Sequence, residues 1–124
     1  MNKYKVGKYF EAKAVNYLKS QGYFIKAQNW RCGKMGELDI VAIDPERFGK
    51  SYLVIVEVKF RRTNIGFAMS AVDYKKQEQI KKLSKIFLKS KGIVESKTNI
   101  SYDVIALSFN EAKKLEIEHL KNIF

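Results

Sequence analysis

The sequence predicts an α/β domain in which a sheet of about five strands is flanked by helices. The chain order is α-β-β-β-α-β, with a short terminal strand. Apolar residues recur at helical spacing in two segments, 5–20 and a second one from Ala68 or Met69 to Lys89. Aliphatic and β-branched runs bounded by turn formers fill the stretches between them. The predicted strands are 23–30, 36–43, 53–60, 100–109 and 115–120.

Length and composition restrict the class of protein. With 124 residues, 46% of them hydrophobic, residues 1–124 are expected to form a single domain with one modest core. The only cysteine, Cys32, cannot form an internal disulfide, so a cytoplasmic location is expected. One cysteine and one histidine, His119, exclude a structural zinc site of the usual kind. No apolar run reaches transmembrane length, so no membrane association is expected.

The charge of the chain is strongly positive. Lysine and arginine number 24 against 13 acidic residues, which gives a formal net charge of +11. Such an excess is typical of proteins that bind a polyanion, and nucleic acid is the first candidate. The alternative is a lysine-rich surface that only interacts with solvent.

The third predicted strand, Leu53–Phe60, carries the most informative pattern. It is apolar until Glu57 and Lys59, which share one face because side chains alternate along a strand. Charge in a buried strand needs a partner, because burying it alone costs several kcal/mol. One interpretation is an internal salt bridge between the two residues. The other is a metal site with a lysine beside it.

The second strand favours the metal site. Glu37 and Asp39 share a face, and the turn formers of 44–50 predict a hairpin with the third strand. If the paired residue numbers sum to about 96, Asp39 lies near Glu57 and Glu37 near Lys59, within a residue or two. Carboxylates this close repel each other unless a cation is present, and Mg²⁺ suits a few carboxylates with water and a phosphate oxygen.

Other charged residues are candidates for the same site. Glu11 lies at the edge of the apolar stripe of the first helix, where it either faces the site or pairs with a nearby lysine. Lys76 falls on the buried stripe of the second helix, from which it is expected to reach an anion or a carboxylate. Arginine and lysine near an acidic site suit phosphate binding. Candidates for that role are Arg31, Lys34, Arg61 and Arg62.

Three residues are assigned to other roles. Trp30 is expected in the core rather than as a base-stacking platform, and Asp103, inside the fourth strand, is expected to have a structural role rather than to bond to the site. His119 alternates with apolar residues in the terminal edge strand and is expected at the surface or at an interface. That exposed edge would suit contact with a second copy in a homodimer.

Ordered motifs resemble a known family. Asp39 on one strand, followed by Glu57-Val58-Lys59 on the next, resembles the core of the PD-(D/E)XK nuclease superfamily. The wider set resembles the YraN-like family of small bacterial proteins, described as uncharacterised or endonuclease-like and similar to archaeal Holliday-junction resolvases. Its motifs here are Gly7-x-x-x-Glu11, Gln28–Arg31, Gly36–Ala42, Val56–Arg61, Lys76-Gln77 and Tyr102–Ile105.

The resemblance implies a restriction-endonuclease-like core with a central mixed sheet, and a role for each matching residue. Asp39 and Glu57 would bind Mg²⁺ or Mn²⁺, with the Val58 carbonyl as a third ligand. Lys59 would orient or help deprotonate the attacking water, or stabilise charge on phosphorus. Glu11 would act in the outer coordination shell, as would Glu37, while Lys76 and Arg61 would hold the nucleic-acid backbone.

Three functions are consistent with these residues. The first is a metal-dependent endonuclease that hydrolyses phosphodiester bonds in DNA, including branched or damaged DNA. The second is a nucleic-acid-binding protein of the same fold with little or no cleavage activity. The third is a factor that binds an acidic protein through its basic surface.

Overall fold

A mixed five-stranded sheet forms the centre of the molecule, as the sequence predicts. The computed structural model describes residues 3–61 and 72–124. The strands lie in the order β1-β2-β3-β4-β5; β3 and β4 are parallel and the other neighbours antiparallel. The elements are α1 (Lys3–Ser20), β1 (Phe24–Arg31), β2 (Glu37–Arg47), β3 (Lys50–Arg61), α2 (Tyr74–Ser90), β4 (Ile100–Phe109) and β5 (Leu115–Leu120), with 3₁₀ turns at Gly33–Met35 and Glu95–Lys97.

One helix covers each face of the sheet, because side chains of successive strand residues point to opposite faces. Below α1, the cluster of Phe10, Ala14 and Leu18 packs against the even-numbered residues of β3, such as Val54 and Val56. The α2 cluster packs on the other face against the odd-numbered β3 residues Leu53 and Ile55; its helix members are Ile80, Leu83, Phe87 and Leu88. Glu57 and Lys59 have the odd parity, so they belong to the α2 face.

The predicted β2–β3 hairpin and its register are confirmed. Ile40 pairs with Val56 and Ile43 with Leu53, so the paired numbers sum to 96. The predicted turn at 44–50 is wrong in extent, because β2 continues through Arg47 with an irregularity after Asp44. The turn itself is Phe48-Gly49. Both residues have positive φ, +53° and +76°, as a two-residue hairpin turn that follows the strand twist requires.

The start predicted for the second helix is wrong. Val72 and Asp73 are not helical, and α2 begins at Tyr74. Asp73 is the N-cap: its Oδ1 accepts a 2.8 Å hydrogen bond from the backbone N–H of Lys76, which satisfies a donor that the first helical turn leaves unpaired. Val72 is buried in the α2 cluster without being helical, which explains why the apolar spacing extended the prediction too far. Residues 68–71 lie outside the described residues.

The ends of the sheet agree with the prediction. β5 is an edge strand, paired only with β4, and β1 is the opposite edge. Trp30 packs against the α2 cluster with its ring edge-on to Phe87, at a centroid distance of 5.3 Å, as a core residue would. The homodimer through an edge strand stays a prediction. No helix within the described ranges is long and apolar enough to cross a membrane.

Candidate functional site

Asp39 and Glu57 lie where β2 and β3 stop pairing. The backbone pairing of the two strands ends at the pair Ile40–Val56, and Asp39 and Glu57 are the next residue beyond that pair on each strand. Beyond that point the backbone N–H of Val58 donates a 2.9 Å hydrogen bond to Oδ2 of Asp39. At this end of the hairpin, a side-chain carboxylate of β2 thus accepts a hydrogen bond from a backbone amide of β3. The sequence predicted that Asp39 lies near Glu57, and the confirmed register of the hairpin brings the two residues together.

Two lysines approach the buried carboxylate of Glu57. The residue is 6% exposed. Lys59 Nζ lies 3.7 Å from Glu57 Oε1, and Lys76 Nζ lies 4.0 Å from the same oxygen. Lys59 comes from the same strand face, and Lys76 reaches from the first turn of α2, as its stripe position predicted. The salt bridge that the sequence suggested between Glu57 and Lys59 is therefore present.

Burial raises the pKa of both carboxyls, and a neighbouring carboxylate raises each one further: Glu37 for Asp39, and Asp39 for Glu57. Desolvation raises the pKa of Glu57 to about 7, helped by Asp39 and opposed by Lys76 and Lys59. Desolvation also raises the pKa of Asp39, against the lowering effect of the Val58 N–H and of Lys76. Carboxyls held above their usual range beside two ammonium groups form a site that a further cation would stabilise in the ionised state.

Glu11 also faces this region. Its Oε1 is buried and has no hydrogen-bond partner within the described residues. Desolvation raises its pKa, Asp39 raises it further, and Lys8 lowers it. The sequence left open whether Glu11 faces the site or interacts with a lysine. The effects of Asp39 and Lys8 on its pKa indicate that it does both. An unsatisfied buried oxygen is costly, so it indicates a place for a donor or a cation.

The remaining predicted residues are more exposed. Arg31 forms a 3.1 Å salt bridge with Glu37, its cross-strand neighbour, so Glu37 is paired across β1. Val58 is half-buried and contacts Asp39 only as the donor described above. Lys34, in the 3₁₀ turn, and Arg61, at the end of β3, are exposed. Arg62 lies outside the described residues, and the phosphate-binding role of all these residues stays a prediction.

The donors near the site are oxygens, which suits Mg²⁺ or Mn²⁺ better than softer metals. No group of three or more acidic, histidine or cysteine side chains in the ranges 3–61 and 72–124 is close enough to form a complete cage. Mg²⁺ in enzymes of phosphate chemistry commonly uses one or two carboxylates and keeps several waters. Asp39 and Glu57, with the unsatisfied Glu11 oxygen nearby, therefore fit such an ion.

A second polar cluster lies on the α1 face, and the sequence did not reveal its centre. Arg47 is 6% exposed. Its guanidinium donates to Asp44 Oδ2 at 3.0 Å, to the Tyr23 hydroxyl at 2.8 Å and to Asp103 Oδ2 at 2.8 Å. The pattern gave no signal for Arg47, which lies in a segment rich in charge and turn formers. For Asp103, which lies inside an apolar strand, the sequence did predict a structural role.

Asp103 is the most connected member of this cluster, which is the structural role expected of it. Its Oδ1 also accepts hydrogen bonds from the Ser101 hydroxyl at 2.6 Å and from the backbone N–H of Asn122 at 3.0 Å. His119 Nε2 lies 2.7 Å from Oδ2, and Tyr17 lies 3.1 Å from the other ring nitrogen. The expectation that His119 lies at the surface is wrong: its side chain is 4% exposed, because Asp103 and Tyr17 satisfy both nitrogens.

The pKa of Glu57 leads to a stability prediction. Its folded value of about 7 is higher than about 4.3 in an unfolded chain, so protonated Glu57 favours folding below pH 4 and this contribution is lost as the pH rises through 7. Glutamine resembles the protonated form of Glu57 at every pH. In metal-free buffer at pH 8, we therefore expect the free energy of unfolding of Glu57→Gln to be higher than that of the wild type by on the order of 2 kcal/mol. Urea denaturation at pH 4 and pH 8 measures this, with Glu78→Gln on the exposed side of α2 as control. Equal pH dependence of the Glu57 variant and the wild type would contradict it.

Fold and site together define a class: an α/β protein with a restriction-endonuclease-like core and an acid-lysine site beside the central strands.

The profile of Uncharacterised protein family UPF0102 matches residues 10–107. A UPF0102 protein of Alkaliphilus oremlandii is 42% identical over 125 residues, with both chains covered completely. One of Lachnoclostridium phytofermentans is 41% identical over the whole of this chain and 96% of its own, and one of Desulforamulus reducens is 39% identical over 90% of this chain and 88% of its own. The chain belongs to the UPF0102 family, as the YraN-like motifs indicated.

Proposed function

We propose that this protein hydrolyses phosphodiester bonds in nucleic acid, and DNA is the substrate we favour. One observation carries the proposal: Asp39 and Glu57 lie side by side where two strands part, and two lysines approach Glu57 Oε1 within 4.0 Å. A buried acid pair with raised pKa values beside ammonium groups is an arrangement found at functional sites more often than in structural ion pairs. The net charge of +11 supports a polyanionic substrate.

Asp39 and Glu57 would hold Mg²⁺ or Mn²⁺, and Val58 would offer its carbonyl. The bound ion would lower the pKa of a coordinated water and polarise a phosphoryl oxygen. Glu11, whose Oε1 lacks a protein partner within the described residues, would accept a hydrogen bond from a water near the ion.

The lysines would act on the substrate side of the site. The Lys59 side chain is 27% exposed, so its ammonium can contact both the Glu57 carboxylate and an incoming phosphate. In that position it would orient the attacking water and stabilise negative charge that develops on phosphorus. Lys76, 36% exposed, would bind a phosphate oxygen from the α2 side. Arg61, at the end of the same strand as Lys59, would bind the neighbouring backbone.

A second candidate function is nucleic-acid binding with little or no cleavage. It is favoured by the lack of a complete three-residue ligand group in the described part of the chain. In this case Lys59 and Lys76 neutralise Glu57 as a structural ion cluster, and the basic surface alone binds the polyanion.

A cleavage assay separates the two. Labelled linear duplex, single-stranded and four-way-junction DNA, with a matched RNA strand, are incubated with the protein in Mg²⁺ or Mn²⁺ and in EDTA. We expect metal-dependent cleavage by the wild type and none by Asp39→Asn, with Asp73→Asn, a substitution at the α2 cap, purified in parallel as a control for contaminating nuclease. Equal inactivity of wild type and Asp39→Asn, with retained gel shifts, would refute hydrolysis and support the binding function.

A further inference from the structure

Four aromatic rings form a contiguous cluster at the end of the sheet that carries Glu57 and Lys59. Phe10 of α1 stacks on Phe60 of β3 with centroids 3.9 Å apart and planes 12° apart. Tyr9 stacks on Phe10 at 5.0 Å, and Phe109 of β4 meets both Phe10 and Phe60 edge-on at 6.0 Å. We call these four residues the aromatic ledge.

The ledge is buried on its inner side and exposed on its outer side. Phe10 is 6% exposed and belongs to the α1 core cluster, which fixes the stack in place. Tyr9 and Phe109, by contrast, are each 38% exposed. Two partly exposed rings on a rigid base suit a binding surface, because burying their apolar area against a ligand is favourable.

The surroundings of the ledge are basic. Lys13 Nζ lies 5.4 Å from the centroid of the Tyr9 ring. Lys5 and Lys8 are also exposed on α1, and the sequence of this helix contains one acidic residue, Glu11. Exposed rings beside several ammonium groups complement a ligand that is both aromatic and anionic. A nucleic-acid strand with unpaired bases has this chemistry, since its bases stack on rings and its phosphates attract lysine.

The ledge also adjoins the candidate site. Phe60 directly follows Lys59 on β3, although its side chain points to the opposite face. Phe10 directly precedes Glu11, whose carboxyl interacts with that of Asp39. A strand that crossed the end of the sheet could therefore place bases on the ledge and a phosphate beside Lys59.

We propose that Tyr9 and Phe109 stack unpaired bases, so that the substrate of the site is a nucleic acid with a single-stranded segment. This inference rests on the proposed function for its biological meaning, but the binding it describes can be measured without cleavage. Paired bases are already stacked on one another and shield their faces, so a duplex cannot use the ledge in the same way.

The test is fluorescence anisotropy in EDTA with three labelled probes of equal length: oligo-dT, an abasic strand with the same phosphates, and a duplex. We expect Tyr9→Leu and Phe109→Leu each to weaken oligo-dT binding by about tenfold, while abasic and duplex affinities change less than about twofold. Leucine keeps the apolar contact and removes the ring face. Phe48→Leu is the matched control, because Phe48 is 86% exposed at the hairpin turn, about 25 Å along β3 from Glu57.

Equal oligo-dT affinity of the ledge variants and the wild type would overturn the proposal. So would an equal loss on all three probes, or an equal loss in Phe48→Leu, because neither result depends on bases at this surface. Unchanged thermal unfolding of each variant verifies that the fold is retained. Base-dependent binding without cleavage would refute hydrolysis and leave the ledge intact, whereas cleavage that ignores Tyr9 and Phe109 would refute the ledge alone.

Discussion

Asp103→Asn is expected to lower the free energy of unfolding by about 3–5 kcal/mol at pH 7. The Asp103 carboxylate is fully buried and accepts hydrogen bonds from Arg47, Ser101 and the Asn122 amide. Asparagine has nearly the same shape but no charge, so it leaves the buried guanidinium of Arg47 with Asp44 as its remaining carboxylate. Its amide group also brings two donors to positions where donors already point at it.

Urea denaturation of the variant and the wild type measures this loss. Glu118→Gln, on the exposed side of β5, is the matched control and should change the free energy of unfolding by less than about 0.5 kcal/mol. A loss below 1 kcal/mol in Asp103→Asn would show that the network contributes little net stability.

The same carboxylate makes the stability of the fold depend on pH in the acidic range. Hydrogen bonds from His119, Arg47 and Ser101 hold the pKa of Asp103 well below its usual range, despite the opposing effect of burial. Because the folded value lies below the unfolded value of about 3.9, the contribution of Asp103 is complete above pH 5 and is lost as the pH falls below 4. Asp103→Asn should lack this part of the acid slope, which the same titrations at pH 3 and pH 6 would reveal.

Lys59→Met is expected to reduce the rate of phosphodiester cleavage by about 10²–10⁴-fold, the usual contribution of a positioned proton-transfer or charge-stabilising group. Methionine keeps most of the apolar stem and removes the ammonium that lies 3.7 Å from Glu57 Oε1. Lys76→Met removes the ammonium that reaches from α2 to 4.0 Å from the same oxygen, and in the proposed mechanism this group binds a phosphate oxygen of the substrate. For it we expect a loss of about tenfold, expressed mainly in KM.

Single-turnover cleavage of a labelled strand in Mg²⁺, with protein in excess, separates the two effects. Lys81→Met, on the same helix and five residues after Lys76, is the control for loss of positive charge. Retention of activity within threefold in Lys59→Met would remove Lys59 from the proposed mechanism. Equal losses in all three variants would attribute the effect to net charge and substrate affinity.

The parts of the site that follow strand periodicity could be read from the sequence. The parity of Glu57 and Lys59 and the pairing sum of 96 both follow from alternation in a buried hairpin, where a one-residue slip would expose the core. The reach of Lys76 followed in the same way from helical spacing. Each of these inferences depends on neighbours in sequence or on one hairpin partner.

The parts that depend on distant contacts could not be read in this way. Arg47 is buried because Asp103 and Tyr23 approach it from other elements, and nothing in its own segment encodes them. His119 is buried for the same reason, between α1 and β4. The predicted start of α2 was too early because Val72 has the apolar spacing of a helix, whereas the helix begins only after its N-cap, Asp73.

The parallel pairing of β3 with β4 has a consequence for the order in which the chain folds. Leu53 pairs with Ile100 across the whole of α2, so this contact closes a long loop, whereas β2 and β3 meet through a two-residue turn. Forming the hairpin that aligns Asp39 with Glu57 therefore costs less conformational entropy than adding β4, so β4 with Asp103 is expected to join the sheet later. Pulse-labelled hydrogen exchange would show β2–β3 amides protected before those of β4. The chain would thus bring its acidic pair together before the arginine network closes on the other face.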